Sequence, residues 1–151
     1  MELKRVVVTG LGAVTPIGND VPTFWNSLIQ GVSGAKPITR FDASKFKTQF
    51  ACEVKDFDPN QYFDRKEARK YDLFSMFGIV AAKEAVEDAG IDVEKVDLDQ
   101  IGVIFGTGIG GIKTFAEEVA SFVQNESIPR FNPFFIPKMI TDILPGHVSI
   151  M

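Results

Sequence analysis

The stretch Phe105 to Phe115, FGTGIGGIKTF, sets Gly106, Gly108 and Gly111 in a G-x-G-x-x-G pattern after the apolar run IGVI. Glycines between a strand and a helix can leave backbone N–H groups free to hold a phosphate. A dinucleotide site needs this pattern in the first strand-to-helix turn, with an acidic residue on a strand about twenty residues later for the ribose. Here the turn comes late, and the later window reads NESIPRFNPFF, which is no strand. A P-loop also fails. Ile112 separates Gly111 from Lys113 and Thr114, so the ammonium is rotated away from any phosphate. The earlier run TGLGAVTPIG has Thr15 where a third glycine belongs. Close backbone packing or a positive φ in a tight turn explains such glycines better than a nucleotide, which stays as the weaker alternative.

Other reactive groups are few. Cys52 and His147 are the sole cysteine and histidine. One thiol makes no internal disulfide and no multi-cysteine metal site, which reads as an intracellular, cytoplasmic protein. A nucleophilic cysteine needs a helix N-terminus or a nearby cation to favour thiolate. Cys52 lies instead in FACEV, an expected short strand, and is expected to be a small buried hydrophobe. His147, in GHVSIM, is expected to be packed and hydrogen-bonded. Arg65, Lys66, Arg69 and Lys70 form a basic run broken in charge only by Glu67. On a continuous helix these four would span about 140° of one face. In a chain of net charge −4, that face is either solvated or an attractor for an acidic partner.

The elements that must position these groups follow from patterning. The 151 residues suffice for one domain with a core, and 45% hydrophobic with 24% charged is ordinary for a globular protein. The acidic balance argues against a nucleic-acid binder. Fourteen phenylalanines against two tyrosines and one tryptophan suggest a greasy interior or pocket. No apolar run is long enough to span a membrane, and MELKRVVVTG is a poor signal peptide. RVVVTG (5–10) and IGVIFG (101–106) read as buried parallel strands. Asp20 and Pro22 open a helix whose apolar face is Phe24, Trp25, Leu28 and Ile29, closed by Gly31. Residues 32–50 read as irregular. Residues 63–90 read as one long helix, with Asp64 and Glu67 at capping-box spacing, Gly90 as its stop, and 73–82 apolar all round. Ile112, Phe115, Val119, Phe122 and Val123 mark a further helix. FNPFFIP reads as an aromatic loop, and Met139, Ile140, Ile143 and Leu144 as a last helix kinked at Pro145. Alternating strands and helices imply an α/β fold with a parallel sheet. Two or three strands are too few to finish one, and GHVSIM ends like the middle of an element, so the sequence is expected to be cut short.

The blocks RVVVTGLGAVTPIGN, FWNSLIQGVSGAKPITRFD, FACEVKDFD, RKEARKYDLFSMFGIVAAKEAVEDAGI, IGVIFGTGIGGI, NPFFIPKMI and GHVSIM, in this order, carry a resemblance. The whole chain resembles the N-terminal part of the beta-ketoacyl-acyl-carrier-protein synthases, condensing enzymes of the thiolase-like fold. The type II elongation synthases are the branch it resembles most. The resemblance implies a layered α-β-α-β-α architecture in the full enzyme, with residues 1–151 forming part of its N-terminal half.

It also implies fatty-acid elongation by decarboxylative Claisen condensation of an acyl group with a malonyl group on acyl carrier protein. A homodimer is implied, with no metal or organic cofactor, no nucleic acid and no membrane. The family uses a helix-terminal cysteine, two histidines and a lysine. None of these is matched by Cys52, His147 or any other residue here, so the chain alone is expected to be inactive and loosely packed. By the same resemblance, Ile109 falls at the acyl pocket, with Phe135 closing it from across the dimer and Phe134 beside it. Lys66, Arg69 and Lys70 fall where the carrier protein docks. The alternative within this resemblance is a synthase-like subunit without the nucleophile that only shapes chain length.

Overall fold

The computed structural model describes residues 3–151. Residues 3–57 together with 80–91 form one compact unit, and residues 58–79 with 92–151 form a second. The helix from Leu73 to Asp88 contributes a stretch to each.

In the first unit, α1 (Val21–Ile29) starts where local chemistry demands. The Asp20 carboxylate accepts from the Thr23 N–H at 2.7 Å and from the Thr23 hydroxyl at 2.9 Å, and Pro22 loses nothing in a first turn that needs no N–H donor. Gly31 follows the helix with φ +68°, which glycine adopts without strain. Two short strands, β1 (Ala35–Pro37) and β2 (Phe50–Cys52), pair antiparallel with Lys36 opposite Ala51. β1 thus lies in a region expected to be irregular.

RVVVTG forms no strand. The β1–β2 pair is the only sheet among the described residues, and Val6, Val7 and Val8 are exposed at 89%, 60% and 79%. A buried parallel strand needs neighbours at its edges, and this unit offers none. The segment after it is held by side chains of the long helix instead. Glu84 accepts from the N–H groups of Ala13 (2.8 Å) and Val21 (2.7 Å), and Asp88 from that of Leu11 (2.9 Å). Here glycine is required: a Cβ at Gly12 would stand 1.8 Å from the Ala81 carbonyl oxygen.

In the second unit, the expected single helix is broken. α2 (Arg65–Ala68) is capped by Asp64, whose Oδ1 accepts from the N–H groups of Lys66 and Glu67. The chain then leaves the helix, and α3 (Leu73–Asp88) begins afresh after Asp72. Asp72 accepts weakly from the Phe74 N–H at 3.4 Å, and its own carbonyl takes the Met76 N–H. Within 73–82 only Ser75, Met76, Ile79 and Val80 are buried; the rest are half-buried.

α4 (Ile112–Gln124) matches its expected periodicity. The aromatic loop contains a short helix, α5 (Phe135–Met139), and α6 (Ile143–Ile150) follows separately. Pro145 falls in the first turn of α6, where a missing N–H costs nothing, so it kinks no helix. Leu144 is buried against Gly78 of α3, where a Cβ would come within 2.5 Å of the leucine side chain. IGVIFG, like RVVVTG, joins no ladder among the described residues, and Ile104 is 94% exposed.

Candidate functional site

The turn into α4 and the end of α5 build one apolar pocket. Gly110 adopts φ +79°, and the Gly111 N–H donates to the Met139 carbonyl at 3.1 Å. A Cβ on Gly110 would meet that same oxygen at 2.3 Å, and one on Gly111 would meet the Lys138 oxygen at 2.1 Å. Backbone therefore lies directly on backbone, which only glycine permits. Around Gly106 and Gly108 the space is open. The required pair is thus Gly110 and Gly111, whereas the sequence motif pointed to 106, 108 and 111. The N–H groups of Gly111 and Ile112 are already bonded, to Met139 and Gly110, so these two donors are not free for a phosphate.

The pocket beside this turn has a volume of about 400 Å³. Ile109, Ile112, Phe115, Met139 and Ile140 line it, with Thr141 and Asp142 at one side. Ile109 is 67% exposed and open to whatever enters. Phe135 does not line it. It sits one ring behind, stacked on Phe115 with ring centroids 6.3 Å apart and on Phe131 at 5.6 Å; Phe131 stacks in turn on Phe122 at 5.5 Å. Phe134 precedes α5, donates its N–H to the Asn132 side chain, and is not among the residues that line the pocket. The structure therefore brings Ile109 to the pocket, places Phe135 as a support, and leaves Phe134 outside. Ile112 and Phe115 were legible only as one face of a helix, and Met139 and Ile140 only as a helix start.

The basic run is exposed throughout, although not as one helical face. Arg65 and Lys66 lie on α2, Arg69 is its C-cap, and Lys70 is past it, because the chain breaks before Asp72. None of the four makes an ion pair among the described residues.

Residues 3–151 match the family model described as the beta-ketoacyl synthase N-terminal domain. The chain belongs to the beta-ketoacyl synthase family. It is 46% identical over 150 residues to a 3-oxoacyl-acyl-carrier-protein synthase 2 of Synechocystis, covering 99% of this chain and 36% of that one. It is 46% identical over 147 residues to the protein of the same name from Staphylococcus aureus strain COL, covering 97% and 35%. The chain thus spans about a third of the length of these relatives. Among solved structures it is similar to a chain of the complex of a type II polyketide acyl carrier protein with its hexaketide-bound ketosynthase. The TM-score there is 0.78 and the identity 32%, over 98% of this chain and 38% of that one. It is also similar to the ishigamide ketosynthase/chain length factor, with TM-score 0.79 and 28% identity over 95% and 36%. The fold is the thiolase-like α/β fold of the ketosynthases.

Within this ketoacyl synthase chain, Cys52 corrects its expectation. It is exposed in β2, since a two-stranded ribbon leaves both faces open, and it adjoins no helix N-terminus. His147 is packed edge-on against Tyr71 with ring centroids 4.7 Å apart, and its imidazole makes no hydrogen bond among the described residues. Burial, and then the Lys70 charge, hold its pKa below the ordinary histidine value. Among the described residues no helix is long and apolar enough to cross a membrane.

Proposed function

We propose that this chain forms part of the N-terminal half of a beta-ketoacyl-acyl-carrier-protein synthase that elongates acyl chains by decarboxylative condensation. The pocket at Ile109 would receive the hydrocarbon end of the acyl group. The observation that carries this is the apolar pocket built on the Gly110–Gly111 turn, in a chain 46% identical to 3-oxoacyl-acyl-carrier-protein synthases. A pocket lined by aliphatic and aromatic side chains suits an acyl tail, since each buried methylene contributes about 0.8 kcal/mol. Phe135 supports that wall through Phe115, and Phe134 flanks the same segment.

The groups that make and break bonds lie outside these residues. Cys52 is exposed in β2 and adjoins no helix N-terminus, and His147 is engaged with Tyr71. The chain by itself is then inactive, and the active unit is a homodimer of the full-length protein working in the cytoplasm. Lys66, Arg69 and Lys70 supply exposed positive charge, without an ion pair among the described residues, suited to steering an acidic carrier protein. Charge reversal at these three in the full-length protein should raise KM for carrier-bound substrate and spare small thioester analogues. Equal losses on both would remove the docking role.

The likeness to a ketosynthase/chain length factor supports a second reading, a pairing subunit without a nucleophile. Reading the residue at the nucleophile position of the full-length protein separates the two: cysteine there means a condensing enzyme.

A further inference from the structure

On the N-terminal side of Ile109, residues 106–108 make no hydrogen bond among the described residues. Around Gly106 and Gly108 a Cβ would meet nothing within 4 Å, and the Thr107 hydroxyl is buried without a hydrogen-bond partner among the described residues. Its anchorage lies on the other side, at residues 110–114. One part of that anchor is backbone, the Gly111 N–H on the Met139 carbonyl. The other part is a single side-chain contact across 42 residues of sequence. The Thr114 hydroxyl donates to Asp72 Oδ2 at 2.5 Å, and the same carboxylate oxygen lies 3.2 Å from where a Cβ on Gly111 would stand. Asp72 thus grips the first turn of α4 while its Oδ1 accepts from the Phe74 N–H at the start of α3. It makes no ion pair among the described residues, so no cation there competes for this carboxylate.

We propose that Asp72 and Thr114 are positioning residues for acyl-length selection: their hydrogen bond holds the glycine turn against the start of α3 and so fixes where Ile109 stands in the pocket. Phe115, the next residue after Thr114, is itself part of the pocket wall, so the clamp sets two lining side chains together. This inference rests on the reading of that pocket as the acyl site.

The test uses the full-length protein with Thr114→Val, which keeps side-chain volume and removes the donor, and Thr114→Ser, which keeps the hydroxyl. Ile109→Ala is the control for the pocket itself. Two readouts are taken: amide hydrogen exchange of peptides covering residues 105–112, and relative turnover across acyl carrier primers of increasing length. A hydrogen bond to a charged acceptor supports a rise in exchange of about tenfold or more on its loss. Thr114→Val should show that rise and a shifted or broadened length profile, while Thr114→Ser stays near wild type. Wild-type exchange and profile in Thr114→Val, with Ile109→Ala shifting the profile, overturns the clamp and leaves the pocket reading standing. Equal disturbance by Ser and Val also overturns it, since the hydroxyl would then be irrelevant. An unchanged profile in Ile109→Ala removes the pocket reading instead. If Thr114→Val does not fold, Thr114→Ala carries the same comparison.

Discussion

Replacing Gly110 by alanine tests which glycines the turn needs. The substitution forces a side chain into φ +79° and drives a Cβ to 2.3 Å from the Met139 carbonyl oxygen, which belongs to backbone and cannot swing away. The left-handed conformation costs about 1–2 kcal/mol for a residue with a Cβ, and forced displacement of packed backbone adds about 1–3 kcal/mol. The expected loss is therefore about 2–5 kcal/mol, with the Gly111–Met139 hydrogen bond the first to go. Gly106→Ala and Gly108→Ala meet nothing within 4 Å and should fall within about 0.5 kcal/mol of wild type. Urea denaturation of the three variants beside wild type, each in the full-length protein, measures this through the midpoint at constant slope. A Gly108→Ala variant as damaged as Gly110→Ala would refute the reasoning, because the motif and not the close approach would then decide.

Glu84→Ala should lower stability by about 2–3 kcal/mol in the same assay, since one carboxylate satisfies the N–H groups of both Ala13 and Val21. His147 has a folded pKa below its unfolded value, so the unfolded chain binds the proton first as pH falls. Stability from this residue is complete above the ordinary histidine pKa and is lost as pH drops from there through the lowered one. His147→Gln should flatten that part of a midpoint-versus-pH curve, and an unchanged slope would exclude the histidine as its source. Exposed Cys52 should be alkylated in the native chain at nearly the rate seen in urea, read by mass; strong native protection would contradict its placement. Exposed Val6, Val8, Ile104 and Ile150 should make the isolated chain bind an apolar dye and self-associate, read by fluorescence and light scattering. A dye-silent monomer would argue otherwise.

What the sequence determined by itself is the set of features whose causes lie within a few residues. Asp20 and Asp64 cap helices because their carboxylates reach N–H groups two or three residues on, and Gly31 and Gly90 stop helices because each takes a positive φ. The ordered blocks along the chain also carried the family, and with it Ile109 as a residue to watch. The tertiary structure alone decided the rest. Whether Val6 to Val8 make a strand depends on a partner edge, and no local pattern supplies one. Residues 63–90 make two helices, and Asp72, just before the second, meets Thr114, 42 residues away. Cys52 reads as core from its composition, yet β2 pairs only with β1 and leaves it exposed. The pocket joins the Gly110–Gly111 turn to the end of α5, far along the chain, through carbonyl oxygens that look alike in every sequence. Local hydrogen bonds leave a signature in residue type; contacts between distant backbone groups leave none, and only folding reveals which ones meet.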